Sequence, residues 1–294
     1  MFREPNQINC GAAPKAALRK SSSDHKYTHG HALILTGPSG KGGAARLAAR
    51  GALRIGAGLV TVGCPPDAVA ENAAQLNAIM LEAVHDGDAL ARILADTRIN
   101  ALCLGPGLGH ERASGLLAKV LGGDVAPRAT MLDADAITAL SQDADLFAML
   151  HENCILTPHA GEFARLFPDI AEKLNAPACT GPAYSKVDAT RAAAKLAGCV
   201  VLLKGADTVI ADPGGRASIN SAHYQRSAPW LATAGSGDVL AGFITGLLAR
   251  GFAPMQAGQT AAWLHVECAR SFGAGLISED LPEELPKVFA ALNI

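Results

Sequence analysis

The sequence predicts an α/β protein built on a mainly parallel central sheet with helices on both faces. Three observations carry this. Short apolar runs alternate with stretches of helical spacing from about residue 32 onward, the signature of βα units. Glycine- or aspartate-bearing loops repeatedly follow the carboxyl ends of the apolar runs, the edge where open α/β sheets bind ligands. Hydrophobic residues make up 49% of the 294 and charged residues 18%, which suits a well-buried core.

Taken in order, residues 32–36 form a short strand that enters a glycine-rich loop. Residues 44–55 have helical spacing and high helix propensity. Residues 59–62 form a strand stopped by Pro65-Pro66, and 68–77 and 88–98 read as helices. A strand at 101–104 runs into Gly105-Pro106-Gly107. Residues 130–132 deliver Asp133 and Asp135, and 154–156 deliver the loop 157–162. Residues 200–203 end at Lys204, with 208–211 as their neighbour across a turn. Asp212-Pro213-Gly214-Gly215 is a strong turn before a further short strand. Residues 238–249 and 255–272 are long helices, the first rich in small residues. Residues 25–294 read as one domain. Residues 1–24 lack apolar periodicity and read as a flexible arm or linker.

The net charge of −2 gives no broad attraction to nucleic acid. Seven cysteines are scattered without zinc-ligand spacing, and Cys103, Cys154 and Cys199 lie in or beside apolar runs as buried thiols. A reducing cytoplasm is the expected location. No apolar signal core follows the first residues, and no apolar run is long enough to span a bilayer.

The most informative stretch is Thr233-Ala234-Gly235-Ser236-Gly237-Asp238-Val239-Leu240-Ala241-Gly242. Glycines let backbone N–H groups approach an anion, and a helix starting behind them adds unsatisfied donors and a positive dipole end. Asp238 on the lip of such a cradle suits phosphoryl transfer, taking the proton from an attacking hydroxyl. The plainer alternative is a glycine turn with Asp238 as a helix-start residue.

This stretch resembles the nucleotide signature of the ribokinase-like superfamily, and within it the NAD(P)H-hydrate dehydratases. The resemblance runs from about His25 to the C-terminus. It includes Gly37-Pro38-Ser39-Gly40-Lys41-Gly42-Gly43-Ala44, Leu104-Gly105-Pro106-Gly107-Leu108-Gly109, Leu132-Asp133-Ala134-Asp135, Thr157-Pro158-His159-Ala160-Gly161-Glu162 and Leu203-Lys204-Gly205-Ala206-Asp207-Thr208. Each is weak alone; their order is specific. The resemblance implies a lyase that uses ADP or ATP to phosphorylate the added hydroxyl of hydrated NADH or NADPH, then eliminates phosphate to restore the reduced nicotinamide. It implies magnesium, a homo-oligomer, and functional pairing with a separate epimerase of the hydrates. In fused family members a junction like residues 1–24 separates an epimerase from the dehydratase, and no epimerase domain is read in this sequence.

Carried over position by position, Asp238 is the implied base and substrate contact. Ala44, Gly107 and His159 face the substrate. Lys204, Gly205, Ala206, Asp207 and Thr208, with Gly235, Ser236 and Gly237, bind the nucleotide. Glu162 is an implied magnesium organiser acting through water, since magnesium keeps several waters. Its alternative is a helix-start residue near the dipole. Ala160 stands where the family usually has proline. The loop 37–43 fails the Walker pattern, with Gly42 after Lys41 where Ser or Thr is required, and is not the triphosphate site. Asp133 and Asp135 orient polar groups or cap the following helix. Trp263 and His265 read as packing residues, and His25, His29 and His31 form no ligand pattern. Arg46, Arg50 and Arg54 read as one solvated helix face. The rival functions are a small-molecule kinase of the same superfamily, of hydroxyethylthiazole or pyridoxal kinase type, and a non-catalytic nucleotide-binding regulator.

Overall fold

A computed structural model describes residues 4–9, 14–123, 125–178 and 183–294. The chain begins with β1 (Asn6–Gln7) and the one-turn α1 (Lys15–Leu18). Then come β2 (His31–Leu35), α2 (Gly43–Arg54), β3 (Leu59–Cys64), α3 (Val69–Ala73), β4 (Met80–Ala83), α4 (Gly87–Leu94), β5 (Ile99–Leu104), α5 (His110–Leu121) and β6 (Ala129–Leu132). The middle of the chain forms α6 (Asp135–Gln142), α7 (Ala144–Ala148), β7 (Cys154–Leu156), α8 (Ala160–Leu166), α9 (Pro168–Asn175), α10 (Lys186–Ala197) and β8 (Val200–Leu203). It closes with β9 (Asp207–Ala211), β10 (Ala217–Ser221), α11 (Ser236–Ala249), α12 (Pro254–Phe272) and α13 (Asp280–Ala291).

Among the described residues the strands form one ten-stranded sheet in the order β1-β10-β9-β8-β7-β6-β5-β2-β3-β4. From β4 to β8 all neighbours are parallel, and β9 runs antiparallel to both β8 and β10. The parallel strands are apolar runs because helices cover both faces. One face packs under α2, α11, α12 and α13, and the other under α4, α5, α6, α8 and α10.

The small residues of α11 have a geometric cause. This helix is buried from Val239 through Ala249, between the sheet and α2, so an all-round apolar surface is required. A Cβ on Gly242 would lie 2.1 Å from the Ala48 carbonyl oxygen, and one on Gly246 2.6 Å from that of Ala52. Only glycine lets the two helices approach this closely. That approach fixes the start of α11, where Gly235 to Asp238 lie.

Two predicted helices are shorter than expected. The stretch 68–77 yields α3 only to Ala73, because the Asn72 carbonyl accepts from both Gln75 and Leu76 and turns the chain toward the edge strand β4. The stretch 88–98 ends at Leu94, and residues from Ile99 onward are already in β5.

The reading of residues 1–24 as a flexible arm is corrected for the residues described. Asn6 and Gln7 pair in parallel with Ser218 and Ile219 of β10. Ile8 and Leu18 are buried. The Arg250 guanidinium donates to the carbonyls of Ala17 at 2.8 Å, Leu18 at 2.9 Å and Ile55 at 2.8 Å. Residues 1–3 and 10–13 lie outside the described residues.

Cys103, Cys154 and Cys199 are buried free thiols as predicted, and so are Cys64 and Cys268. Burial pushes the Cys103 and Cys154 thiols up to about 12, which keeps them unreactive. Cys10 and Cys179 lie outside the described residues. No helix among those residues is long and apolar enough to cross a membrane.

Candidate active site

The strand register brings several predicted loops to one edge. Leu104 pairs with Leu132, Leu132 with Leu156, and Leu156 with Val201. The loops after β5, β6, β7 and β8 therefore leave the sheet side by side. Ladder-like bonds continue past the strand ends, from Asp133 N–H to the Leu104 carbonyl at 3.1 Å and from Lys204 N–H to that of Pro158 at 2.9 Å. Gly105 has φ +130°, and a Cβ there would lie 1.7 Å from the Asp133 carbonyl oxygen. Glycine at 105 thus lets the two loops cross in contact. Ala134 has φ +47°, a sparsely populated conformation for a residue with a Cβ.

Asp133 and Lys204 form the centre of the edge. Lys204 Nζ lies 2.7 Å from Asp133 Oδ1 and 3.8 Å from Glu162 Oε2. Both carboxylates are buried. Asp135 instead accepts from Gly109 N–H at 2.8 Å, and neither aspartate caps α6.

Glu162 occupies the first turn of α8, and His159 is the N-cap. His159 Nδ1 accepts from the N–H groups of Gly161 at 3.0 Å and Glu162 at 3.3 Å, while Glu162 Oε2 accepts from His159 N–H at 2.8 Å. This reciprocal capping box satisfies the free donors of the helix start and leaves the histidine ring half exposed. The helix-start alternative for Glu162 describes its local geometry. The same bonds hold its carboxylate rigidly near Lys204.

The Gly235–Asp238 stretch is braced from three sides. Gly235 has φ +87°, and a Cβ there would lie 2.7 Å from Leu47 Cδ1. Ser278 Oγ donates to the Ala234 carbonyl at 2.5 Å, and Ser236 Oγ to that of Leu231 at 2.8 Å. His265 Nε2 lies 2.8 Å from the Ser236 carbonyl oxygen. Burial is the main cause pushing His265 down to about 4, so the ring is neutral and Nε2–H is the donor. With the Ser236 hydroxyl bonded to Leu231, the loop presents backbone N–H groups at the helix start. Burial pushes Asp238 up to about 6, with the nearby Asp133 charge adding to the rise and Lys204 opposing it.

Beside this loop lies a cleft of about 500 Å³ whose wall includes Lys204, Gly205, Ala206, Thr208, Ser236, Gly237, Leu240 and His265. Asp207 and Gly235 are not on that wall. Asp207 opens β9, and its carboxylate lies 3.7 Å from the His223 ring. Lys186 Nζ clasps the turn from behind, bonding the carbonyls of Lys204 at 3.0 Å and Asp207 at 2.5 Å. Thr208 Oγ1 closes the turn onto the Gly205 carbonyl at 2.9 Å.

The loop 37–43 lies at the carboxyl end of β2. Its amides are already engaged: Ser39 N–H with Asp67 at 3.1 Å and Gly40 N–H with Glu71 at 2.5 Å. Carboxylates thus occupy donors that a Walker loop would offer to phosphate. Gly107 has φ +69°, and a Cβ on it would lie 2.7 Å from the Lys41 carbonyl oxygen and 3.8 Å from Ala44 Cβ. The structure therefore brings Ala44 and Gly107 together.

Sequence reasoning missed three residues that brace these loops: His265, Lys186 and Ser278. Helical spacing placed His265 among packing residues, and only the docking of α12 on α11 shows its bond to Ser236. Arg46, Arg50 and Arg54 share one face of α2, with Arg50 and Arg54 exposed as read and Arg46 partly buried, and the fold adds ion-pair partners. Arg46 pairs with Glu71 at 3.0 Å, Arg50 with Glu283 at 2.5 Å, and Arg54 also pairs with Glu283.

Sheet order, strand-edge loops and the glycine loop heading a buried helix define a ribokinase-like α/β protein. A ribokinase-like superfamily protein from Enterococcus faecalis shares this fold with a TM-score of 0.81 over 99% of this chain and 98% of its own, at 24% identity. A family model described as NAD(P)H-hydrate dehydratase matches residues 32–288, and the chain belongs to that family. It is similar to the ADP/ATP-dependent NAD(P)H-hydrate dehydratase of Bacillus subtilis, co-crystallised with ATP/Mg2+, at 27% identity and a TM-score of 0.76 over 98% of this chain and 99% of that one. The bifunctional NAD(P)H-hydrate repair enzyme of Moorella thermoacetica is 37% identical over 94% of this chain and 52% of its own length. That of Mycobacterium tuberculosis is 38% identical over 81% and 44%. The chain spans about half the length of these curated relatives.

Proposed function

We propose that this chain catalyses the ADP- or ATP-dependent dehydration of hydrated NADH or NADPH. The observation that carries the reading is Asp238, a carboxylate of raised basicity at a helix start, near Lys204 and next to Gly237, which lines a nucleotide-sized cleft. The nucleotide lies along the Lys204–Thr208 turn with its terminal phosphate against the amides of the Gly235 loop. Ala44, Gly107 and His159 contact the hydrate. Asp238 takes the hydroxyl proton as that oxygen attacks the terminal phosphorus, and the bond from phosphorus to the departing nucleotide breaks. Phosphate then leaves the ester with the C–O electron pair, and loss of a proton from the neighbouring ring carbon restores the reduced nicotinamide. Hydroxide, a poor leaving group, has become phosphate, a good one.

The test is incubation with hydrated NADH, magnesium and either nucleotide. Reduced-nicotinamide absorbance should return. Transfer of phosphate to a vitamin-like alcohol without that return would support the kinase rival. The pH profile follows from Asp238. Its ionised form is the active base, so kcat/KM should fall below about pH 6 by roughly tenfold per pH unit. A rate that is flat down to pH 4 would exclude Asp238 as the base.

Magnesium fits the residues present. No group of three or more His, Cys, Asp or Glu side chains among the described residues is placed as a ready cage, and a magnesium with mostly water and phosphate ligands does not require one. Glu162 offers a fixed carboxylate to hold it through water. When bound, the ion neutralises phosphate charge. Glu162→Gln keeps an acceptor for His159 N–H, so its melting temperature should stay near wild type. Its half-saturating magnesium concentration should rise by about tenfold, a loss of roughly 1.4 kcal/mol. An unchanged magnesium titration would remove Glu162 from that role.

The same reading makes the chain a homo-oligomer in a reducing cytoplasm, working with an epimerase that supplies the hydrate epimer. The buried free thiols support the reducing compartment, and the bifunctional relatives support the epimerase partner.

A further inference from the structure

A second cavity, of about 670 Å³, lies against α2. Its wall includes Gly43, Arg46, Leu47, Arg50, Arg54 and Glu279. Three of these residues tie it to the reaction centre. Gly43 precedes Ala44, which adjoins Gly107. The Leu47 side chain touches Gly235, since a Cβ on that glycine would come within 2.7 Å of Leu47 Cδ1. Glu279 follows Ser278, whose hydroxyl bonds the Ala234 carbonyl. Residues of the Gly235–Asp238 stretch therefore contact both regions. The 500 Å³ cleft takes its wall from Ser236 and Gly237, and the arginine-lined cavity takes its wall from residues packed against Gly235. A transfer between two bulky substrates needs such a pair of spaces, one for donor and one for acceptor.

The wall chemistry distinguishes the two. Three guanidiniums at positions 46, 50 and 54 recur at helical spacing along one face of α2, with apolar Leu47 between them. Planar, permanently charged guanidiniums suit bidentate binding of phosphate oxygens. Their present partners are weak competitors. Arg50 and Arg54 share the single carboxylate of Glu283, with side-chain exposures of 55%, 43% and 38% respectively. Ion pairs this exposed are worth about 0–1 kcal/mol, so exchanging Glu283 for a phosphate costs little. Arg46 bonds Glu71, whose carboxylate also holds Gly40 N–H. An anion drawing on Arg46 is thereby coupled to the loop 37–43.

We propose that this cavity holds the phosphate-bearing end of the dinucleotide acceptor, with Arg50 and Arg54 on its pyrophosphate, while the nicotinamide end reaches Asp238. This rests on the dehydratase reading above. It adds Arg50 and Arg54 as residues that select a dinucleotide over a small alcohol.

The probe is NAD+, an unreactive dinucleotide, titrated by calorimetry into protein already saturated with ADP so that the nucleotide cleft is filled. In the R50A/R54A double variant NAD+ affinity should fall by about tenfold or more, and ADP affinity in a separate titration should stay within about twofold. R50K/R54K should recover part of the loss, because charge remains without the bidentate fork. Glu283→Gln should tighten NAD+ by removing the competing carboxylate. In turnover, the KM for hydrated NADH should rise in R50A/R54A while the KM for ATP does not. Unchanged NAD+ affinity in a double variant that melts like wild type, or an equal loss of ADP affinity, would overturn the assignment. So would weaker NAD+ binding by Glu283→Gln. If wild type turns over hydrated NADH and R50A/R54A matches its KM, only the cavity assignment fails. If wild type neither turns over hydrated NADH nor binds NAD+, the dehydratase reading fails and takes the assignment with it.

Discussion

Replacing Asp238 with asparagine should lower turnover by about two orders of magnitude or more while nucleotide binding persists. The cleft wall includes Lys204, Gly205, Ala206, Thr208, Ser236, Gly237 and His265, none of which hydrogen-bonds the Asp238 side chain. ADP affinity measured by calorimetry should therefore stay near wild type. The acidic limb of the pH profile should disappear with the carboxylate. The same substitution carries a stability prediction of definite sign. The folded Asp238 carboxyl is pushed up to about 6 from 3.8, so the folded state holds its proton more tightly than the unfolded chain. The protonated group stabilises the fold below about pH 4, and that contribution is lost as pH rises through about 6. At pH 7.5 the ionised carboxylate destabilises the protein, and asparagine removes that cost. The variant should melt higher than wild type at pH 7.5, with the difference closing toward pH 4. Such a trade of stability for activity is common where a charged group is held in a desolvated site. Near wild-type turnover in the variant would exclude Asp238 as the base. A lower melting temperature at pH 7.5 would contradict the buried, like-charged setting that raises its pKa.

Much of the strand edge was legible because its chemistry is local. Parallel strands buried on both faces must be uninterrupted apolar runs, so 32–36, 101–104, 130–132, 154–156 and 200–203 stood out, and the residues after them inherit the ligand edge. Gly235 and Gly107 are needed for backbone conformations that the adjacent sequence advertises. The strand β4 was missed because it is an edge strand. Its residues Met80–Ala83 are mostly exposed, and no apolar run marks them. The bracing residues were illegible for a different reason. Lys186 lies 18 residues before the carbonyl it bonds at Lys204, and His265 lies 29 residues after Ser236. Nothing in the spacing of either residue within its own helix distinguishes it from a surface lysine or a packed histidine. Arg46, Arg50 and Arg54 were placed correctly on one face of α2. What Arg50 and Arg54 meet is Glu283, more than 200 residues later, and Arg46 meets Glu71 beyond β3; only the fold supplies these partners.

Residues 1–24 show how far a missing pattern can mislead, and their removal should have the second large effect, on stability rather than chemistry. Two residues of β1 give no periodicity to read, yet they extend the sheet past β10. Deleting residues 1–24 exposes apolar surface that now covers Ile8 and Leu18, each contributing about 1.5–3 kcal/mol when fully buried. It also strips Arg250 of the carbonyls of Ala17 and Leu18. Water reaches the uncovered guanidinium in their place, so each lost bond costs only the net value of a protein hydrogen bond, about 0.5–1.5 kcal/mol. The truncated protein should be less stable by about 4 kcal/mol or more, visible as a lower melting temperature and an earlier urea midpoint. Leu18→Ala alone should reproduce about half of that loss. Arg250 follows the last residue of α11, at the far end from Asp238, so turnover of the folded truncated protein, measured well below its melting point, should stay within about a factor of three of full length. Light scattering on the same samples separates a second cause: a smaller particle together with lost activity would mean that the segment supports assembly. A truncated protein that melts like full length would show that the packing of Ile8 and Leu18 contributes nothing in solution, and the linker reading would then stand after all.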